Sequence, residues 1–195
     1  MTKKEEWLAG TRSAVPIMLG YVPVGIAYGV MARQAGLNTW QTVLMSLTVY
    51  GGASEMMAAG MVAQGAAVLT IVLTTFILNL RHIIMSTCVF NQMQGGRLPV
   101  RMLAAFGVTD ETFAVYTTTA NAPRTPRYFF SMALCSYLSW ALGSWLGAIA
   151  TGLLPPLITA ALGISLYAMF IGLLMPGLRG NGRLAALVVL TALCN

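Results

Sequence analysis

Four stretches, residues 13–32, 66–90, 128–152 and 157–176, are each apolar over about the 20 residues that a helix needs to cross a hydrocarbon core of roughly 30 Å. Of the 195 residues 57% are hydrophobic and only 8% charged, where a soluble domain carries roughly a quarter. The shortage of charge runs the whole length, so a lipid bilayer is the expected solvent and partner. The expected fold class is all-α: one integral membrane domain over 1–195, with about four full spans, two broken or re-entrant helical segments and an incomplete last span.

The formal net charge is +6, but the basic residues stand singly or in pairs at the ends of apolar runs. They read as topology signals, and no nucleic acid partner is expected. Glu5 and Glu6 interrupt the basic start, and the apolar run behind them is too long for a cleaved leader, so the first stretch is read as a span. Cys88, Cys135 and Cys194 lie far apart in apolar segments without zinc or redox spacing, and His82 is the single histidine. The cysteines read as packing residues, and neither a metal nor a cofactor is expected.

Placement of the acids is unusual. After Glu6 only Glu55, Asp110 and Glu111 are acidic, and each falls inside an apolar segment. The basic residues Arg33, Arg97, Arg101, Arg124, Arg127, Arg179 and Arg183 lie between apolar runs, and Lys3, Lys4 and Arg12 precede the first. Arg81 is the exception, roughly 5 Å from the middle of the 66–90 stretch at about 1.5 Å rise per residue. An unpaired arginine there costs on the order of 2.5–3.5 kcal/mol, so it needs a partner or a watery cavity. In the same stretch Thr75, Asn79, His82 and Ser86 follow a 4, 3, 4 spacing and share one helical face. That stripe serves either interhelical hydrogen bonds or a solute path. Arg81 points about 120° or more from it at about 100° per residue, so the two features are expected to be separate.

Residues 40–60 and 102–120 share a pattern of apolar half, glycine break, hydroxyl residue and carboxylate: Gly52-Ala53-Ser54-Glu55 and Gly107-Val108-Thr109-Asp110. Ser or Thr favours the helix N-cap and an acid in the next turn suits the dipole, so Ser54 and Thr109 are expected to cap helices that restart after a break. A restart at membrane depth exposes backbone N–H groups, tolerated only where protein or a wet cavity meets them. Discontinuous helices near the midplane are how many secondary transporters hold charged solute ends. Topology offers an independent check. If both segments re-enter, the tail and the loops 91–101, 121–127 and 177–183 all lie inside with their basic residues, and only Arg33 lies outside. The first segment then enters from outside and the second from inside, an inverted repeat.

Several of these stretches resemble the AzlC-type branched-chain amino acid permeases: Tyr50-Gly51-Gly52-Ala53-Ser54-Glu55, Leu80-Arg81-His82, and Phe106-Gly107-Val108-Thr109-Asp110-Glu111-Thr112-Phe113-Ala114, with a weaker match at Ala168-Met169-Phe170-Ile171-Gly172-Leu173-Leu174-Met175-Pro176. The resemblance implies a secondary transporter that exports branched-chain amino acids, or methionine, across the inner membrane, usually with a small hydrophobic AzlD-type membrane subunit. Family members often have Gln where this chain has Glu55, which bears on substrate or coupling ion. The family also continues through more spans. The twelve residues after Arg183 reach only about 18 Å as helix, so the last span is expected to be truncated.

The candidate solute or ion pathway is therefore Ser54, Glu55, Asn79, Arg81, His82, Thr109, Asp110 and Glu111. A zwitterionic amino acid would set its carboxylate at the freed N–H groups of one broken helix and its ammonium near Asp110 or Glu55. Arg81 would be the counter-ion of a buried carboxylate, and Asp110 or Glu111 would carry a coupling proton. Against this, Asp110 and Glu111 serve equally as a helix-start cap. Two rivals remain: a membrane scaffold or remnant subunit that transports nothing, and an intramembrane hydrolase built on Ser54, His82 and Asp110.

Overall fold

The structure, a computed structural model, describes residues 2–153 and, beyond them, residues 155, 157, 158, 161, 164, 171, 182, 186, 188 and 190. The fourth apolar stretch, 157–176, lies almost wholly outside the described residues, as do Arg179, Arg183, Cys194 and the chain end. The described part is all helix: α1 Lys3–Gln34, α2 Thr39–Thr48, α3 Gly52–Ala63, α4 Val68–Asn79, α5 Arg81–Gln92, α6 Leu98–Phe106, α7 Asp110–Thr118 and α8 Pro126–Ala150. Three rods are long and apolar enough to cross a membrane: α1, α4 continued by α5, and α8. They match the first three expected spans, although α1 starts ten residues before position 13. There Thr2 forms a capping box with Glu5, and Glu5 and Glu6 face the positive end of the helix, so the polar tail is wound into the rod.

The largest interface joins α1 and α8, which run in the same direction. Gly10 lies against Tyr128 and Ser131, Gly25 against Trp140 and Ser144, and Gly29 against Ser144 and Ala148. Seen from the other helix, Gly143 meets Val22 and Gly147 meets Ile26. Each rod thus presents a Gly-x-x-x-Gly step, Gly25 with Gly29 and Gly143 with Gly147, which lets the backbones approach without side chains between them. A Cβ at Gly29 or Gly147 would overlap a carbonyl of the partner helix.

Against this pair lean two hairpins of half-helices. The hydroxyl of Tyr28 donates to the Thr42 carbonyl, Ser46 bonds Ser144 and Tyr137 donates to the Leu47 carbonyl. By these contacts α2 runs from the carboxyl ends of α1 and α8 to their middle, where the Tyr50 ring meets Tyr21 and Tyr137. Next, α3 turns back. Its start at Gly51 faces Asn79 in the middle of the 25-residue α4–α5 rod, and a short loop, 64–67, joins its end to the start of that rod. The rod ends beside the start of α8, where Gln94 N–H donates to the Arg124 carbonyl. From there α6 rises to the middle, with Phe106 on Tyr50 and Tyr137, and α7 returns until Tyr116 meets Tyr128 and Phe129. Both segments therefore re-enter, from opposite ends of the molecule, in the inverted arrangement that the positions of the basic residues suggested.

The α4–α5 rod is continuous but tightened at Leu80, where Leu80 N–H bonds Ile77 O at 3.2 Å and Ile83 N–H bonds Leu80 O at 3.0 Å, both i to i−3. Its α4 half packs on α3, and its α5 half on α6 and α7. Only 6% of its apolar window is buried, against 50% for α1 and for α8, so this rod forms the periphery with Val72, Phe76, Ile83 and Ile84 turned outward.

The glycine interface makes a direct prediction. Gly147→Leu is expected to lower stability by about 1–3 kcal/mol, because overpacking forces α1 and α8 apart. Gly60→Ala, with nothing within 4 Å of the added carbon, is expected to be neutral or to stabilise α3 by up to about 1 kcal/mol. Thermal melts of both variants in detergent check this, and equal melting of Gly147→Leu and wild type would contradict it.

Candidate functional site

The two hairpin tips meet at mid-depth, and each is built differently. At the first, Tyr50 takes a left-handed backbone (φ 47°) and α3 restarts at Gly52 with Gly51 as N-cap. The expectation that Ser54 caps this helix is corrected: Ser54 lies inside the first turn and its hydroxyl donates back to the Gly51 carbonyl at 2.8 Å. The capping acceptor is the carboxylate of Glu55, which takes the Gly51 N–H at 2.9 Å. At the second tip Thr109 does cap α7, in a capping box with Thr112, whose hydroxyl also donates to the Gly107 carbonyl at 3.0 Å. A Cβ at Gly107 would overlap Ala133 of α8, so this tip needs glycine to pack on the rod.

Between the tips lies a polar cavity. Its walls are Tyr21 of α1, Tyr50 to Ala53 of the first tip, Arg81 and His82 of α5, Thr109 to Glu111 of the second tip, and Trp140 of α8. Arg81, His82, Thr109, Asp110 and Glu111 were expected on a pathway and line this cavity, whereas Ser54, Glu55 and Asn79 do not. Arg81 and His82 share one wall, although Thr75, Asn79 and Ser86 of the polar stripe do not line the cavity. The rod contributes Arg81 and His82, two adjacent residues just after the Leu80 turn, to the lining. The cavity volume is about 20 Å³, room for about one water.

The three acids inside the apolar segments are held in three ways. Asp110 pairs with Arg81 at 3.0 Å, with the two side chains 29% and 37% exposed. Arg81 thus has the acidic partner that its depth in the span required, and the pair is reachable from the cavity. Glu111 accepts the Tyr21 hydroxyl at 2.6 Å, and that oxygen lies 2.7 Å from the Thr109 hydroxyl. Glu55 is fully buried behind the cavity wall, accepting from Ser46 at 2.9 Å, from Gly51 N–H, and from Trp140 Nε1 at 3.2 and 3.3 Å. This set of donors replaces water around the carboxylate. Glu55 does not itself line the cavity, and its oxygens are held by Ser46, Gly51 and Trp140.

Sequence reasoning passed over Tyr21, Tyr50 and Trp140. Their signal was an aromatic with a polar tip inside a span, which seeks a hydrogen-bond partner when buried. Tyr21 packs edge-on to Trp140 with ring centroids 5.4 Å apart, joining the Glu111 and Glu55 networks through apolar contact. The hydrolase constellation does not assemble: Ser54 bonds Gly51, His82 Nδ1 donates to the Asn79 carbonyl at 3.1 Å, and Asp110 pairs with Arg81. Among the described residues no group of three or more His, Cys, Asp and Glu side chains is placed to hold a metal ion.

Comparison with known proteins gives a consistent set of relatives. The sequence model of the family described as AzlC protein matches residues 16–154. An uncharacterized membrane protein of Archaeoglobus fulgidus is 33% identical over 188 residues, covering 95% of this chain and 82% of its own. Inner membrane protein YgaZ of Escherichia coli is 30% identical over 179 residues, with 87% of this chain and 72% of its own covered. The branched-chain amino acid transport protein AzlC of Bacillus subtilis is 27% identical over 157 residues, 76% of this chain and 61% of its own. No solved structure matches the chain.

The geometry around Glu55 separates acceptor from charge. Glu55→Ala is expected to cost at least about 3 kcal/mol, because the Gly51 N–H and Trp140 Nε1 each lose a buried partner. Glu55→Gln is expected to cost less than about 1 kcal/mol, since its oxygen keeps Gly51 and Trp140 while its amide donates to Ser46, which already lies 2.8 Å from Ser144. Melts of the two variants decide: equal losses would mean that charge, not hydrogen-bond acceptance, holds this network.

Proposed function

This chain belongs to the AzlC family, and from that membership we propose that it is a secondary transporter subunit exporting branched-chain amino acids, or methionine, across the cytoplasmic membrane with proton coupling. The observation that carries the proposal is the meeting of two oppositely inserted re-entrant helices at a polar cavity in mid-membrane, the arrangement on which alternating access works. A transport role also agrees with the name of the Bacillus subtilis relative.

Orientation follows from charge. The end holding Lys3, Lys4, Arg12, Arg97, Arg101, Arg124 and Arg127 is assigned to the cytoplasm, and the end holding Arg33 faces outward. In this orientation α6 and α7 open from the cytoplasm, and α2 and α3 from outside. A leucine is several times larger than a cavity of about 20 Å³, so a solute enters only when the tips part. The contacts that must separate are the stack of Tyr50 on Phe106 and their edges against Tyr137. The Arg81–Asp110 pair sits where either tip's movement strains it, and it supplies charges of both signs for a zwitterion or a proton. The outward face of the α4–α5 rod, little covered by the described residues, offers a surface for the small hydrophobic AzlD-type subunit that completes this reading.

Efflux of labelled leucine from proteoliposomes holding this chain and the small subunit tests the proposal. Asp110→Asn is expected to slow efflux by about tenfold or more, roughly 1.4 kcal/mol, and to abolish its response to a proton gradient. A variant that melts like wild type and keeps both rate and gradient response would remove Asp110 from the mechanism, and wild-type protein that moves no amino acid would end the proposal.

A further inference from the structure

The two helix starts that meet at the cavity are chemically unequal. At the start of α7 the first two positions are Asp110 and Glu111, so its positive end already has two carboxylates. By contrast the first three positions of α3 are Gly52, Ala53 and Ser54, and the acid of its first turn, Glu55, returns its carboxylate to the Gly51 N–H. Its one acid, Glu55, sits on Gly51, Ser46 and Trp140 behind the wall. The first N–H groups of α3 have no intrahelical acceptor, and Gly52 and Ala53 place small side chains or none between them and the cavity.

A second observation points to the same spot. Tyr50 lines the cavity, is 4% exposed, and its hydroxyl is buried without a hydrogen-bond partner. Its left-handed backbone holds the ring at the tip although a non-glycine residue there is strained. The Nε of Arg81, on the facing wall, is likewise buried and unpartnered. Orphaned polar atoms are rare in folded proteins and cost about 1–3 kcal/mol each, so donors left open around one cavity are characteristic of a site for an acceptor.

We propose that the start of α3, with the Tyr50 hydroxyl, seats the carboxylate of the transported solute, and that Asp110 and Glu111 at the start of α7 receive its ammonium. This rests on the transport reading above and adds a fixed orientation: the solute is an α-amino acid zwitterion laid across the gap between the two tips, carboxylate toward the hairpin that opens outward. Ammonium binding at Asp110 displaces the Arg81 guanidinium, which then turns its open donors to the carboxylate.

Calorimetric binding to the full chain in nanodiscs with its small subunit tests this with L-leucine, 4-methylpentanoate, which lacks the ammonium, and isoamylamine, which lacks the carboxylate. Tyr50→Phe keeps the ring and removes the donor. It is expected to weaken L-leucine and 4-methylpentanoate by about tenfold or more, the loss of one hydrogen bond to a charged group, and to leave isoamylamine unchanged. Asp110→Asn is expected to weaken L-leucine and isoamylamine and to spare 4-methylpentanoate. Tyr50→Phe without effect on the two carboxylates, or weakening all three probes alike, would overturn the assignment. Should 4-methylpentanoate bind in a Tyr50-dependent way while L-leucine does not, the carboxylate seat would stand and the amino acid reading would fall. Wild-type protein that binds none of the three would overturn both.

Discussion

Close backbone contact between α1 and α8 is the interaction on which the rest depends. Two parallel rods sharing glycine steps make a slab whose backbones touch at those steps, with Tyr21 and Tyr28 packed on Trp140 beside them, and the four half-helices lean on that slab. In lipid there is no hydrophobic drive to bring helices together, so packing of this quality is what keeps them associated. A broken helix is costly at membrane depth unless protein surrounds the break. Here Trp140 and Tyr137 of α8 and Tyr21 of α1 stand at the tips, so the seam comes first in the logic of the fold.

The buried acids show how one environment produces different outcomes. Glu55 has four donor contacts and no cation, and it serves as structural filling that ties α2, α3 and α8 together. Asp110 has a cation and partial exposure, which leaves it available for exchange. Glu111 stands between, buried like Glu55 but set at the cavity and held by the hydroxyls of Tyr21 and Thr109. Depth alone therefore does not mark a working carboxylate. What distinguishes Asp110 is an ion pair, at the cavity, with a partly exposed side chain of the α4–α5 rod.

Much of this was legible in the residues. Runs of apolar residues located the rods, and glycine followed by a hydroxyl and an acid located both breaks. The arginine and lysine distribution alone favoured re-entry over crossing, and the contacts of Tyr116 with Tyr128 and of Gly51 with Asn79 agree with it. Cap identity at the first break was misread, because Ser54 and Glu55 compete for Gly51 and the longer side chain reaches the N–H while the hydroxyl takes the carbonyl. Periodicity also separated Arg81 from His82, since a helical wheel assumes one narrow contact line and takes no account of a small cavity met by two adjacent residues beside a tightened turn. The tyrosines and Trp140 escaped notice because apolar counting treats them as filling. Their importance lies in one polar atom each, and only three-dimensional neighbours reveal where that atom points.

Leu80 gives the rod a mechanical character. One half of the rod belongs to the outward hairpin and the other to the inward one, and the chain between the hairpins runs through this single tightened turn. Displacement of either hairpin is thus delivered as torque at Leu80, one residue from the guanidinium that closes the gap. The two halves of the rod share this one turn beside the Arg81–Asp110 pair, so neither hairpin is anchored independently of the other.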